Sequence, residues 1–168
     1  IVLINTPISS GKKPYDISSN LSKSLNFGLL SIASYLSSKG FSSYVFDPRS
    51  STYDTFKQIY QIIDYYTPPV VGLSCISGFS YTSFKMLAND IKSKYSNILL
   101  IAGGKDHIGI IDNQVMLECQ NIDVLVKGEG EDVVAKILYN YHMNKSFETI
   151  PNIVYRSHKG VCDTSDFK

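Results

Sequence analysis

Val124-Leu125-Val126-Lys127-Gly128-Glu129-Gly130-Glu131 decides the fold. A short apolar strand stops on two glycines interleaved with two carboxylates, and a helical pattern then begins. One strand earlier, Ile98-Leu99-Leu100-Ile101-Ala102 ends in the same way on Gly103-Gly104. Neighbouring strands that both open into glycine-rich turns suggest a ligand laid across the strand ends. In open parallel α/β sheets, ligands bind outside the carboxyl ends of the strands. Glycine there admits positive φ and close approach of a ligand to the backbone. Taken singly, each turn reads equally as a tight turn and nothing more.

Working outward, five apolar runs alternate with helical patterns. The strand candidates are Ile1–Asn5, Ser43–Asp47, Val70–Cys75, Ile98–Ala102 and Asp123–Val126. Most are continuous β-branched and leucine runs, as in strands buried on both faces. The helical candidate opening at Phe27 sets Leu29, Ile32, Ala33 and Leu36 on one face and stops at Gly40. Tyr53–Tyr66 repeats the pattern and ends at Pro68-Pro69. Ser80–Tyr95, Ile108–Cys119 and Glu131–His142 follow. Strands joined by helical crossovers form right-handed parallel βαβ units. The expectation is an α/β fold: a doubly wound, mainly parallel five-stranded sheet, flavodoxin-like or Rossmann-like. After Asn144, Ile153–Arg156 and Val161-Cys162 flank Ser157-His158-Lys159-Gly160 and predict a C-terminal β-hairpin extension, with Asp163–Lys168 a frayed polar end.

Composition narrows the function classes. The chain has 168 residues, 43% of them hydrophobic, enough for one well-cored domain and a short extension. Lys and Arg number 16 against 15 Asp and Glu, a balance that argues against nucleic-acid binding. No stretch approaches the roughly 20 apolar residues of a membrane span. The three cysteines, Cys75, Cys119 and Cys162, form no CxxC pair and suit a reducing, cytoplasmic setting. The 12 Tyr and 8 Phe read as core and helix-face filling. The first residues, Ile1-Val2-Leu3-Ile4, read as a core strand with no initiator Met, as in a piece of a longer protein.

These segments, in this order, resemble the cobalamin-binding domain at the front of radical S-adenosylmethionine enzymes. The matching pieces are Ile1–Pro7, Phe27-Gly28-Leu29 opening a helix that ends Lys39-Gly40-Phe41, Val45-Phe46-Asp47, Pro69–Ser74, Gly103-Gly104 and Lys127–Glu131. The segment from Ile150 to Val161 is similar to the stretch leading into that family's catalytic barrel. The resemblance implies a cobalamin-binding domain at 1–145 and, at 146–168, a linker and hairpin leading towards a radical S-adenosylmethionine domain. The CxxxCxxC motif that holds the family's [4Fe-4S] cluster does not occur in this sequence. Cluster and S-adenosylmethionine would therefore belong to the downstream domain. This chain alone is expected not to catalyse the radical chemistry, methyl transfer or another rearrangement, of the full enzyme.

By the same resemblance, Asn5, Thr6 and Pro7 would lie near the corrin edge. Ser74, Ser77 and Gly78 would stand where the third strand ends, with Gly103 and Gly104 as the other wall of a slot for the nucleotide tail. Gly128, Glu129 and Gly130 would complete it. Glu129 reads either as an acceptor for corrin amides or as a cap of the next helix; Glu131 reads as the cap. Ser74 reads either as a tail contact or as a serine closing its strand by a local backbone bond. His107 reads either as a cofactor contact or as an exposed loop histidine. The DxHxxG motif that supplies an axial histidine is replaced by Thr6-Pro7-Ile8-Ser9-Ser10-Gly11 after the first strand. Asp106-His107-Ile108-Gly109 has the wrong spacing, and Lys105-Asp106 interrupts the family's Gly-Gly-Pro-His turn. Cobalamin without a protein histidine ligand, in a base-off state, is the resulting expectation. The rival readings are a degenerate module that keeps the fold without the cofactor, serving as a docking or substrate-facing domain, and an unrelated flavodoxin-like or nucleotide-binding domain. The second lacks support: no GxGxxG follows the first strand, no P-loop occurs, and no acidic pair follows the first strand as in a receiver domain.

Overall fold

The structure is a computed structural model that describes residues 1–7, 26–48, 55–76, 78–104 and 112–165. Its strands are β1 (Val2–Asn5), β2 (Tyr44–Phe46), β3 (Val70–Ser74), β4 (Leu99–Gly103), β5 (Val124–Val126), β6 (Ile153–Ser157) and β7 (Gly160–Asp163). Its helices are α1 (Phe27–Ser38), α2 (Thr55–Tyr66), α3 (Gly78–Lys94), α4 (Asp112–Glu118) and α5 (Glu131–His142). They form one seven-stranded sheet in the order β2-β1-β3-β4-β5-β6-β7. The first five strands of that order are parallel; β6 and β7 run antiparallel to their neighbours.

Strand alternation sorts the core into two layers. Ile4, Val71, Leu73, Leu100 and Leu125 face α2, α3 and α4, where Ile59, Ile63, Phe84, Leu87, Ile91 and Met116 are buried against them. Val70, Ile101, Val124 and Val126 face the opposite way, against Leu36 of α1 and Val134, Ile137 and Leu138 of α5. Strand order reverses between β1 and β3, because the chain leaves β1 for β2 on one side and returns to β3 on the other. That is the switch point where doubly wound sheets open a crevice.

Local signals account for the element ends. Asn26 caps α1, its side-chain oxygen accepting from the Leu29 N–H at 3.1 Å. At the other end Gly40 takes φ +83°, the Phe41 N–H returns to the Leu36 carbonyl and the Gly40 N–H to that of Ser37. This is a Schellman closure, which needs a residue at ease in the left-handed region. Among the described residues no helix is long and apolar enough to cross a membrane. The part of the fourth helical candidate before Asp112, the start of the second at Tyr53-Asp54 and the end of the chain from Asp166 lie outside the described residues.

The hairpin is more than an appendage. Val124, Leu125 and Val126 of β5 pair with Tyr155, Val154 and Ile153 of β6, and all three hairpin residues are buried. Nor is the start of the polar end frayed. Thr164 is buried, and it exchanges hydrogen bonds with the Ile153 backbone through both its own backbone and its hydroxyl. Arg156 of β6 reaches across to the C-terminal end of α4. Its Nε donates to the Ile122 carbonyl at 2.9 Å, and its guanidinium also donates to the Met116 and Cys119 carbonyls. Met116 lies in the last turn of α4, where carbonyls lack partners further along the helix, and the Cys119 carbonyl also accepts from the Ile122 N–H at 3.1 Å. Arg156→Met keeps the aliphatic stem and removes all three bonds. It is expected to lower stability by about 2–3 kcal/mol, read from urea unfolding.

Candidate functional site

The register of four parallel strands places Asn5, Ser74, Gly103 and Val126 in one row across the carboxyl ends. One pleat below lie Leu3, Gly72, Ile101 and Val124. Both rows face α1 and α5. Because Gly72, Ser74 and Gly103 present so little there, the helices cannot fill the space above them. A cavity of about 260 Å³ results, floored by Leu3, Gly72, Ile101 and Gly103 and open towards Ser74 and Ile76. Asn26, Leu29 and Ile32 of the α1 region wall one side; Gly128, Glu129, Gly130 and Val134 wall the other.

The two helices are held at a fixed separation. The Ser31 hydroxyl donates to Glu131 Oε1 at 2.6 Å, and the Tyr35 hydroxyl donates to Asp132 Oδ1 at 3.3 Å. Lys136 beside Asp132 holds that carboxyl below its ordinary range. At Gly130 a Cβ would stand 2.7 Å from Ile32 Cδ1, so the absence of a side chain lets α5 begin this close to α1. The acidic pair Glu131 and Asp132 opens α5 as its dipole favours.

Gly103 and Gly104 differ in kind. Gly104 has φ +151°, and a Cβ there would lie 2.1 Å from the Cys75 carbonyl oxygen, so the ends of β3 and β4 meet only because that residue is glycine. At Gly103 a Cβ would make ordinary contact with Val126 at 3.8 Å, and at Gly128 it would meet no atom within 4 Å. Backbone packing does not require glycine at Gly103; a side chain there would instead intrude on the cavity.

A polar seam closes the mouth on the β1 side. Asn26 Nδ2 donates to Asn5 Oδ1 at 3.1 Å and to Ser74 Oγ at 3.2 Å, and Asn5 Nδ2 donates to Asp47 Oδ1 at 2.7 Å. Of the sequence candidates, Ser74, Gly103, Gly104, Gly128, Glu129 and Gly130 line the cavity. Asn5 joins it through hydrogen bonds. Thr6 is buried behind it, its Oγ1 without a partner among the described residues. Pro7 and Gly78 follow β1 and begin α3 without lining it; Ser77 and His107 lie outside the described residues. Asn26 and Gly72 were not legible as site residues. Asn26 carries a helix-start signal, an Asn directly before an amphipathic run, but nothing local links it to β3.

The family model for the B12 binding domain matches residues 21–138, which span α1 through most of α5. The chain belongs to the B12 binding domain family. An uncharacterised methyltransferase of Pyrococcus horikoshii is 26% identical over 102 residues, 61% of this chain and 22% of that protein. The radical S-adenosylmethionine methyltransferase TsrM of Kitasatospora setae, solved with cobalamin and a [4Fe-4S] cluster, superposes with a TM-score of 0.77 over 97% of this chain and 28% of its own, at 15% identity. OxsB, a cobalamin-dependent S-adenosylmethionine radical enzyme solved with aqua-cobalamin, gives a TM-score of 0.77 at 18% identity, covering 97% of this chain and 21% of its own. At such identities the likeness shows a shared fold. The chain spans between about a fifth and three tenths of each of these proteins.

For this B12 binding domain, the contrast between its paired glycines is directly measurable. Gly104→Ala is expected to cost at least about 2 kcal/mol of stability, because strain and a backbone collision coincide. Gly103→Ala is expected to cost less than about 1 kcal/mol, since ordinary contact replaces open space. Parallel urea titrations of the two variants compare them.

Proposed function

We propose that this domain holds cobalamin with the nucleotide tail in the cavity between α1, α5 and the sheet. The corrin disc would rest over the ends of β3, β4 and β5. The observation that carries this reading is the row Ser74–Gly103 beneath a cavity that fold packing alone does not demand. The fit favours a tail base. Leu3, Ile101 and Val126 give flat apolar contact, and Ser74 adds one hydroxyl, the mixture expected of a pocket that buries a heteroaromatic group. The cavity is far too small for the whole corrinoid, so the disc must lie outside its mouth, beside Ile76, which remains 41% exposed.

Each residue then has a defined task. Gly103 and Gly128 leave room; Ser74 donates to the tail; Glu129, at the mouth, accepts from amide groups on the disc's rim. Asn5, Thr6 and Pro7, at the end of β1, stand near the disc edge, with Gly78 at the start of α3; Ser77 and His107 join them as candidates from the sequence alone. With its tail buried in this cavity the cofactor would be held base-off, and by the sequence resemblance without a protein histidine ligand. Cobalamin, when bound, supplies methyl-carrying or radical-assisting chemistry; the chain's own part is to bind, orient and exclude water.

We further read residues 1–145 as the cofactor-holding unit of a larger enzyme. Residues 146–168 extend its sheet and lead towards a C-terminal radical S-adenosylmethionine domain, which would hold the S-adenosylmethionine and the [4Fe-4S] cluster. The low share of each relative that this chain covers supports that arrangement, and a cytoplasmic setting follows from it.

Titration with hydroxocobalamin followed by desalting is the test. Corrin absorption retained in the base-off form is the expected result. A colourless eluate overturns the reading, and retention with the tail still on the metal overturns the placement of the tail. Gly103→Val is expected to weaken retention at least about tenfold while leaving the unfolding midpoint nearly unchanged.

A further inference from the structure

The outer wall of the cavity is an arch. Helices α1 and α5 pack directly against each other. Over the upper part of the sheet they lean on one another, because Gly72, Ser74 and Gly103 offer little to rest on. Further down, Leu36 of α1 and Ile137 and Leu138 of α5 are buried with Val70 and Val124, and close packing sets the spacing. At the top, two hydrogen bonds span the helices. The Ser31 hydroxyl donates to Glu131 Oε1 at 2.6 Å, and the Tyr35 hydroxyl donates to Asp132 Oδ1 at 3.3 Å. Ser31 and Tyr35 stand one helical turn apart on one face of α1, and their acceptors are neighbours in the first turn of α5. Lys136 takes the other Asp132 oxygen at 2.7 Å, and Lys39 lies 5.2 Å above the Tyr35 ring. Asp132 thus stays ionised and only accepts, so the phenol must donate. Between the two bonds Ile32 meets Gly130, where a Cβ would stand 2.7 Å from the end of its side chain. Ser31 and Tyr35 do not themselves line the cavity; Ile32 and Glu131 do.

We propose that Ser31 and Tyr35 are positioning residues, whose bonds to Glu131 and Asp132 fix the span of the arch and keep the cavity open for the bulk of the cofactor's tail. This rests on the tail placement proposed above. An empty apolar gap is unfavourable, since the atoms that line it lack partners. Helices above such a gap settle into it unless something holds them. On the opposite face that need does not arise. Tyr60 of α2 donates to Asp90 of α3 at 2.7 Å in the same manner, but Leu73, Leu100 and Leu125 fill the core beneath. Without the Ser31 and Tyr35 bonds the first turns of α1 and α5 move towards the sheet, and an entering tail must displace them. A corrinoid without a tail has nothing to displace.

The test compares the affinities of two probes, hydroxocobalamin and diaquacobinamide, which keeps the corrin ring and lacks the nucleotide tail. The cost of lifting the tail off the metal belongs to the probe alone, so it cancels between variants. The double variant Ser31→Ala/Tyr35→Phe is expected to weaken hydroxocobalamin at least about fivefold and diaquacobinamide by less than about twofold. Each single substitution, measured beside it, is expected to shift the same way by less. Ser31→Thr keeps the hydroxyl and is expected to hold the affinity of the unsubstituted domain. Tyr60→Phe removes a bond of the same kind above the filled core and is expected to change neither probe. Equal weakening of both probes, no loss or a gain for hydroxocobalamin, a loss from Ser31→Thr as large as from Ser31→Ala, or the same selective loss from Tyr60→Phe overturns the inference and leaves the cofactor reading intact. Failure of the unsubstituted domain to retain hydroxocobalamin overturns both.

Discussion

Everything at the site depends on the parallel register of β1, β3, β4 and β5. Because side chains alternate with a period of two, a shift of one residue would turn Leu3, Gly72 and Ile101 to the α2–α4 side and bring Ile4, Leu73 and Ala102 under α1 and α5. The cavity would then be filled by Leu73 and Ile4, and the opposite core would lose them. Burial of Val71, Leu73, Leu100 and Leu125 against α2, α3 and α4 fixes that register. The site is thus a by-product of a core packed on the other face. Its residues need only be small, provided the large ones opposite are right.

The same division explains what the sequence revealed. Continuous runs such as Val70–Leu73 and Leu99–Ile101 mark buried parallel strands without ambiguity, and Gly40, Pro68 and Pro69 punctuate the helices between them. The fold was accordingly legible almost throughout, the hairpin included, and only the hairpin's attachment to the sheet was not. Its place at the sheet edge depends on Val154 and Tyr155 meeting Leu125 and Val124, a pairing that no local pattern announces. The glycine pairs at 103–104 and 128–130 were legible as strand ends that open a space, and both reach the cavity wall. Asn26 and Gly72 were not. Asn26 lies 48 residues from its Ser74 partner, and Gly72 interrupts a strand whose neighbours give every sign of ordinary core. Contacts at that separation follow from strand order, which alternation predicts only as a class.

The polar seam shows how such distant residues are made to agree. Asp47 ends the β2 region, Asn5 ends β1, Asn26 starts α1 and Ser74 ends β3, so four separate connections converge on one chain of hydrogen bonds. Each group satisfies another that would otherwise be a half-buried polar atom next to an apolar cavity. Removing one partner leaves the others costly. The arrangement therefore stabilises the strand ends and fixes the chemistry they present at the same time.

The distinction between glycines carries the functional argument furthest. Gly104 is required by contact with the Cys75 backbone, and at Gly130 a Cβ would displace the end of the Ile32 side chain. Gly128 is required in another way, by a backbone that takes φ +71°. Gly103 meets no such obstacle, and it stands mid-row in a buried sheet where a β-branched residue would ordinarily pack better. Glycine at that point forgoes apolar burial against α1 and α5 and leaves a gap lined by Ser74, Ile101 and Val126. A gap left where a side chain would fit is what a bound group of matching shape explains.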